Sequence, residues 1–425
     1  MTETPTILRV GILTADEGAK AIEAIYLPAL RALPTSFQVQ AIHDGSKQPL
    51  SYENEVEENE VDGSICKTNG SVCNDHDHQH GATIPVVPTP DDILANPTID
   101  LILNFMPNEY HETYTVAALN SGKHVMVETP LSLSIPSAKR IIEAEKHAPN
   151  GAKVFVACAR RYAPSISSVF RKEVASLDRI YYARCRNIAG PSSAHTATAP
   201  RKQVWNEVNG HGQPFPISPP SSPSNDSIAG KTRPQLLQGL LEEAFLGQDL
   251  SKERVALCEF LASLGCHDLG LMRDTLGYPD AVSSISVNEP YYAAVFHYYS
   301  GGKGEHPFTL MYETGTDAVP RCDAHLTIYG DTKTVSVQYG LPYGRRHGVK
   351  VVVETIDENG DMKRTETVSA WEESYREELK ALHAYLTADK AVKTTARDAI
   401  QDLRLFQTIF EQYDRQCGTI RTPLG

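Results

Sequence analysis

Five apolar runs separated by helix-like stretches occupy the first 158 residues, and this alternation constrains the fold more than any other feature of the chain. Ile7-Leu8-Arg9-Val10-Gly11-Ile12-Leu13 reads as a strand, the stretch from Gly18 towards Arg31 as its helix, and Phe37 to His43 as a second strand ending on Asp44. Thr89-Pro90-Asp91-Asp92 starts a short helix in a good capping context. Ile99 to Phe105 is a buried strand, Asn108 to Ser121 a helix, and His124 to Glu128 another strand. Ser134-Ile135-Pro136-Ser137 opens a helix with proline in its first turn, and Lys153 to Cys158 is one more strand. Short strands spaced by helices give a parallel sheet with helices on both faces. The layout over residues 1–158 is that of a dinucleotide-binding domain.

Beyond residue 158 the texture changes. β-rich runs follow at Ile180–Arg184, Ala294–Tyr298, His325–Tyr329 and Lys350–Glu354, with Asp331 and Asn359-Gly360 as hairpin-type turns. Trp371–Ala388 and Ala396–Gln416 read as two closing amphipathic helices. The expected fold is therefore α/β: a parallel domain (1–158), then an α+β domain (159–425) with a large, mostly antiparallel sheet. Two insertions interrupt it. Residues 46–86 are acidic and carry Cys66, Cys73, His76, His78 and His80. Their spacing matches no standard zinc finger, so no metal site is expected. Residues 191–234 include the proline-rich run 214–223. They offer too little to bury against ordering entropy and read as a mobile surface loop.

A formal net charge of −13 gives no electrostatic footprint for nucleic acid or an anionic membrane. No apolar leader follows Met1-Thr2-Glu3-Thr4-Pro5, and no run of about 18 apolar residues suggests a membrane span. The eight cysteines are scattered and mostly in apolar surroundings, as reduced thiols of a cytoplasmic protein would be.

His124-Val125-Met126-Val127-Glu128-Thr129-Pro130 resembles the signature of the glucose–fructose oxidoreductase, inositol dehydrogenase and rhizopine-catabolism (Gfo/Idh/MocA) family, in which the strand ends in Glu-Lys-Pro. Arg160-Arg161-Tyr162-Ala163-Pro164 resembles its Arg-Arg-aromatic-x-Pro turn, and Thr395-Ala396-Arg397-Asp398-Ala399 the start of its last helix. The length of the loop after the first strand is similar to that of the fungal galactose-pathway repressor branch. The resemblance covers nearly the whole chain apart from the insertions. It implies a Rossmann domain, an NAD or NADP cofactor, a small-molecule substrate and a homodimer formed through the second domain, where Tyr291-Tyr292, Tyr298-Tyr299 and Tyr312 supply aromatic surface.

Residue by residue, the match is incomplete. The glycine fingerprint that lets backbone approach a pyrophosphate reads Thr14-Ala15-Asp16-Glu17-Gly18, with Thr14 and Asp16 in the first two glycine positions. Asp44 stands where a carboxylate accepts from an adenosine ribose and repels a 2′-phosphate, which favours NAD. A turn aspartate is the competing reading. Asn104 and Pro107 resemble the strand-end turn beneath the nicotinamide, and Glu128 the residue on its ribose. The catalytic lysine is replaced by Thr129. The family's Asp-x-Gly-x-His reads Ser263-Leu264-Gly265-Cys266-His267, so only His267 remains of three catalytic groups. His267 is expected to take the alcohol proton, with Thr129 and Ser263 as hydrogen-bond donors and Arg161 and Tyr162 on the substrate. The function expected is an oxidoreductase for a small polyol, sugar or specialised metabolite with a non-standard acid–base set. The alternatives are a silent nucleotide- or metabolite-binding regulator, or an NAD-assisted lyase or hydrolase.

Overall fold

The computed structural model describes residues 6–46, 84–190, 232–299 and 306–420. The Cys/His-rich stretch and the proline-rich run lie outside the described residues. The first sheet is parallel: β1 (Leu8–Thr14), β2 (Phe37–Asp44), β3 (Leu101–Phe105), β4 (His124–Glu128) and β5 (Val154–Ala157) run in the order β2-β1-β3-β4-β5. All of β3 and β5 is buried, as unbroken apolar strands covered on both faces must be. Beyond β2, Val86 bridges Ile42 in parallel, a one-residue vestige of a further strand. The strand order reverses between β1 and β3. Open α/β sheets form their ligand crevice at such a point, outside the carboxyl ends of the strands.

Helices α1 (Asp16–Ala21) and α2 (Leu27–Arg31) follow β1, joined by a π-helical turn at Ile22–Tyr26. Helix α3 (Pro90–Leu94) begins at Thr89, which forms a reciprocal cap with Asp92. Helix α4 (His111–Asn120) comes after a 3₁₀ turn, and α5 (Ile135–His147) is capped by Ser134 accepting from the Ser137 N–H. Helix α6 (Arg171–Ala175) leads into the second sheet. Helix α7 (Arg233–Ala244) starts at Arg233, so the last residues of the stretch read as a mobile loop are helical. Helix α8 (Lys252–Phe260), a π-helical turn (Leu261–Gly265) and α9 (Cys266–Leu276) make one continuous run. This run is long and apolar enough to cross a bilayer, contrary to the sequence reading. However, 78% of its most apolar window is buried inside the fold, which marks it as a core helix.

The second sheet has eight strands: β6 (Ile180–Ala189), β7 (Ala281–Asn288), β8 (Tyr291–Tyr298), β9 (Phe308–Thr316), β10 (Cys322–Gly330), β11 (Lys333–Gln338), β12 (Val349–Ile356) and β13 (Met362–Ser369). Their order is β13-β12-β11-β10-β6-β9-β8-β7, with β6 and β9 parallel and the other neighbours antiparallel. Helices α10 (Trp371–Ala388) and α11 (Ala396–Ile420) end the described chain. Helix α10 returns to the first sheet, where Tyr375, Leu379 and Leu382 join the core of Ile12, Leu103, Met126 and Phe155. Three of the five tyrosines expected on a surface, Tyr292, Tyr298 and Tyr312, are buried instead, because alternation points them into the core. Tyr291 and Tyr299 remain exposed.

Buried ion pairs join the two sheets. Asp268 is fully buried and accepts from Arg160 Nη1 at 2.7 Å, from Asn187 Nδ2 at 2.9 Å, and from the Tyr339 and Tyr312 hydroxyls at 3.2 and 3.3 Å. Beside it, Arg161 bonds Asp398 at 2.6 Å and Asp274 at 3.2 Å, and Arg273 bonds Asp398 and Asp402. Removing one member of a buried ion pair strands its partner without water. Asp268→Ala should therefore cost about 3–5 kcal/mol in urea unfolding. Asp389→Ala, which breaks an exposed pair with Lys153, should cost under about 1 kcal/mol. Equal costs for the two variants would contradict this account of the seam.

Candidate functional site

Two cavities open along the carboxyl edge of the first sheet. The larger, of roughly 1010 Å³ including its solvent mouth, follows the turn after β1 and runs past Pro107 and Thr129 to Ser263 and His267. The smaller, roughly 550 Å³, lies between Tyr26, α10 and the loop after β11, and is lined by Arg160, Tyr339 and Tyr375 among others. Glu128, His267, Pro342 and Tyr343 line both. Two of the π-helical turns sit here, contributing Tyr26 to the smaller cavity and Ala262 and Ser263 to the larger. Such turns cluster at functional sites because they re-aim side chains within a helix.

The turn after β1 has one left-handed residue and one close-approach glycine. Asp16 adopts φ +52°, the left-handed conformation for which glycine is the usual choice. A Cβ on Gly18 would lie 2.0 Å from the Phe105 carbonyl oxygen, so this glycine is needed for α1 to pack on β3, as the third glycine of the fingerprint is. Thr14 Oγ1 is buried without a hydrogen-bond partner. The carboxylate of Asp16 does not stand alone: Arg233 of α7 binds it at 2.9 Å and also pairs with the buried Glu109. One guanidinium thus faces two carboxylates in the cleft, reducing but not cancelling the negative charge that would repel a phosphate. An orphaned hydroxyl, a close-approach glycine and a left-handed turn together fit an extended dinucleotide. Arg233 escaped the sequence reading because it lies at the end of the 191–234 insertion, which has no pattern.

The junction of the cavities is rich in proton-bearing groups. Burial, reinforced by Arg160, pulls the His267 imidazole down to about 3, so it is neutral at physiological pH. This corrects the expectation that its basicity suits proton transfer near neutrality. Glu128 moves the opposite way. Burial raises its carboxyl to about 8 and nearby Glu378 adds to the rise, while the Tyr343 hydroxyl donates to it. Its Oε2 is buried with no partner. Glu378, on the apolar stripe of α10, is likewise raised to about 8 by burial. Both of its oxygens are bonded, one by the Cys158 N–H at 2.5 Å and the other by the Tyr26 hydroxyl at 2.9 Å. Tyr343 holds φ +59°, a strained state for an aromatic residue, with its N–H bonded to the Tyr375 hydroxyl at 3.1 Å.

Thr129, Ser263, His267, Ala15, Pro107 and Glu128 all line the larger cavity, as expected of neighbours in one site. Five other candidates lie elsewhere or are already engaged, among them Thr14, which lines neither cavity. Arg161 and Tyr162 line neither cavity: Arg161 is held in its ion-pair network, and the Tyr162 hydroxyl bonds Thr394 Oγ1 at 2.8 Å. It is the preceding residue, Arg160, that reaches the smaller cavity. Asn104 is fully buried and braces the turn after β3, donating to the His111 carbonyl and to Thr115. Asp44 pairs in register with Thr14 but accepts from the Ser46 N–H at 3.1 Å, the behaviour of a turn aspartate. His111 links the two strand-end turns, with its ring nitrogens 2.9 Å from the Pro130 and Met106 carbonyl oxygens. Among the described residues no group of three or more metal-ligating side chains occurs.

Comparison with known proteins agrees with this geometry. The profile of an oxidoreductase family with an NAD-binding Rossmann fold matches residues 20–157, and the profile of its C-terminal alpha/beta domain matches residues 257–416. Inositol 2-dehydrogenase of Acidothermus cellulolyticus is 25% identical over 209 residues, 48% of this chain and 53% of that one. A 4-carboxy-2-hydroxymuconate-6-semialdehyde dehydrogenase of a Sphingobium species is 32% identical over 82 residues, 19% of this chain and 25% of its own. The chain thus spans about half or less of the length of these relatives. A levoglucosan dehydrogenase solved with NADH and levoglucosan superposes with a TM-score of 0.62 at 16% identity, over 96% of this chain and 98% of that one. A 3-ketoreductase from Actinomadura kijaniata, solved with TDP-benzene and NADP, superposes at 0.58 with 12% identity over 96% and 98%. These two likenesses concern the fold. The profile matches span both sheets in chain order and cover more than half of the residues, and the chain belongs to the Gfo/Idh/MocA family of NAD(P)-dependent oxidoreductases.

Proposed function

We propose that the protein is an NAD(P)-dependent oxidoreductase acting on a small polyol, sugar or specialised metabolite, with NAD as its nucleotide and an altered acid–base set. The observation that carries this reading is the meeting of the two cavities at Glu128, His267 and Tyr343. The long cleft over the reversal point of the sheet suits an extended dinucleotide, and the smaller cavity suits a hydroxylated substrate beside it. A bound nicotinamide would supply the hydride acceptor or donor.

The chain's own groups have complementary tasks. Gly18 and the left-handed Asp16 would bring backbone close to the pyrophosphate, and Arg233, shared by Asp16 and Glu109, would lessen their repulsion of it. Asp44, at the end of β2, favours a free 2′-hydroxyl over a 2′-phosphate, which makes NAD the better fit. Thr129 and Ser263 orient hydroxyls, and the neutral His267 accepts a hydrogen bond. The depressed basicity of His267 also supports a second reading, a nucleotide-binding regulator without turnover, as the resemblance to the galactose-pathway repressor branch suggests. The compartment proposed is the cytoplasm.

A homodimer through the second sheet is proposed as well. Its partly exposed strands present the Tyr182–Tyr329 ring pair beside the Arg184–Glu313 ion pair, a mix of aromatic and charged groups suited to an interface.

Calorimetry should detect NAD binding to the native protein, and Asp44→Ala should weaken NAD about tenfold while changing NADP less. A panel of polyols, sugars and ketones including myo-inositol and levoglucosan should then reveal a substrate through the absorbance of the reduced nicotinamide. Binding without any such change across the panel would favour the regulator, and failure to bind either nucleotide would remove both readings. Sedimentation at micromolar concentration should give the mass of a dimer, and a monomer mass would refute that assembly.

A further inference from the structure

We propose that Glu128 is the group that exchanges a proton with the substrate oxygen, replacing the ammonium that this chain lacks at Thr129. The inference rests on the oxidoreductase reading and names the acid–base residue of that same site. Its basis is geometric. Glu128 is the last residue of β4, and its side chain points to the face shared with Met126, away from Val125 and Val127. It lines both cavities where they join. One carboxyl oxygen is buried and unpartnered, whereas both oxygens of its neighbour Glu378 are held by protein donors. Glu378 is fully buried and consumed by the structure, whereas Glu128 is half-buried at the junction and has an oxygen to spare.

The surroundings suit proton exchange. The groups facing Glu128 are Tyr26 from the turn after α1, Tyr343 from the loop after β11, Tyr375 and Glu378 from α10, and Cys266 and His267 from α9. Arg160 lines the same smaller cavity but is paired with Asp268. Burial raises Tyr26, Tyr343, Tyr375 and Cys266 well above their ordinary values, so these remain neutral, and His267 is neutral because burial lowers it. Glu128, raised to about 8, is left as the group at the junction that changes charge near physiological pH. Neighbouring acids and bases pushed apart in this way mark the division of roles in a site.

In the oxidising direction the alcohol loses its O–H proton to the Glu128 carboxylate and its C–H hydride, with the bonding electron pair, to oxidised nicotinamide. A C=O bond forms, and a neutral carboxylic acid and reduced nicotinamide result. In reverse, protonated Glu128 gives its proton to the carbonyl oxygen. Because the raised carboxyl is protonated below about 8, carbonyl reduction should hold its rate up to that pH and fall above it, while alcohol oxidation should rise through it. Tyr343 acts as a positioning residue: its donation favours the carboxylate and keeps the titration from rising further.

The test uses the full-length protein labelled with ¹³C at glutamate side-chain carboxyls, together with NAD alone. Two resonances should titrate near pH 8, one vanishing in Glu128→Gln and the other in Glu378→Gln. Titration of Glu128 in the ordinary carboxylate range would overturn the proposal. Calorimetry of NAD binding in buffers of differing ionisation enthalpy should count a proton released by the native protein, since the positive nicotinamide ring favours the carboxylate, and none by Glu128→Gln. Equal release by both would overturn the proposal and leave the oxidoreductase reading standing. Absence of NAD binding by the native protein would overturn that reading first and this one with it. If Glu128→Gln does not fold, Tyr343→Phe decides: loss of the donor should move the Glu128 titration up by about one pH unit. An unchanged titration there would equally overturn the assignment.

Discussion

The buried carboxylate of Asp268 is the contact on which the arrangement of this molecule turns. It collects donors from the Arg160 turn after β5, from Asn187 on β6, from Tyr312 on β9 and from Tyr339 after β11. Those donors come from both halves of the fold, so satisfying one charge fixes α9 against both sheets at once. His267 precedes Asp268 on α9, and its place at the cavity junction follows from that anchorage. The same anchor supplies the Arg160 charge that helps keep His267 neutral. Structure and chemistry are therefore coupled through a single residue that lines neither cavity.

Charge within the site is managed by displacement. The lysine expected after Glu128 is absent, and so is the aspartate expected at Ser263, which removes one positive and one negative group together. With neither present, burial dominates, lowering His267 and raising Glu128. At the turn after β1, Arg233 from α7 is shared by the carboxylates of Asp16 and Glu109.

Much of this was legible in the chain. The strand from His124 to Glu128 falls where the apolar run predicts, and so does the helix from Trp371 to Ala388. Local rules suffice for such elements, because a buried parallel strand and a capped amphipathic helix carry their own patterns. What escaped were side chains whose meaning depends on distant contacts. Arg161 looked available but is absorbed by Asp274 and Asp398, more than 100 residues away. Glu378 carries a faint signal, a carboxylate on the helix stripe that also holds Tyr375, Leu379 and Leu382. Tyr292, Tyr298 and Tyr312 were assigned to a surface because their numbers alone do not say which face of the sheet is open. Arg233 had no pattern to find.

The account's central claim is that a dinucleotide lies along the larger cleft with its nicotinamide at the junction of Glu128, His267 and Tyr343. A crystal structure of the protein grown with NAD tests this most directly. The expected map shows the pyrophosphate beside the Asp16–Gly18 turn within reach of Arg233, and the nicotinamide ring within about 4 Å of the Glu128 and His267 side chains. A nucleotide bound with its ring away from that junction would contradict the account, as would a cleft left empty at saturating NAD.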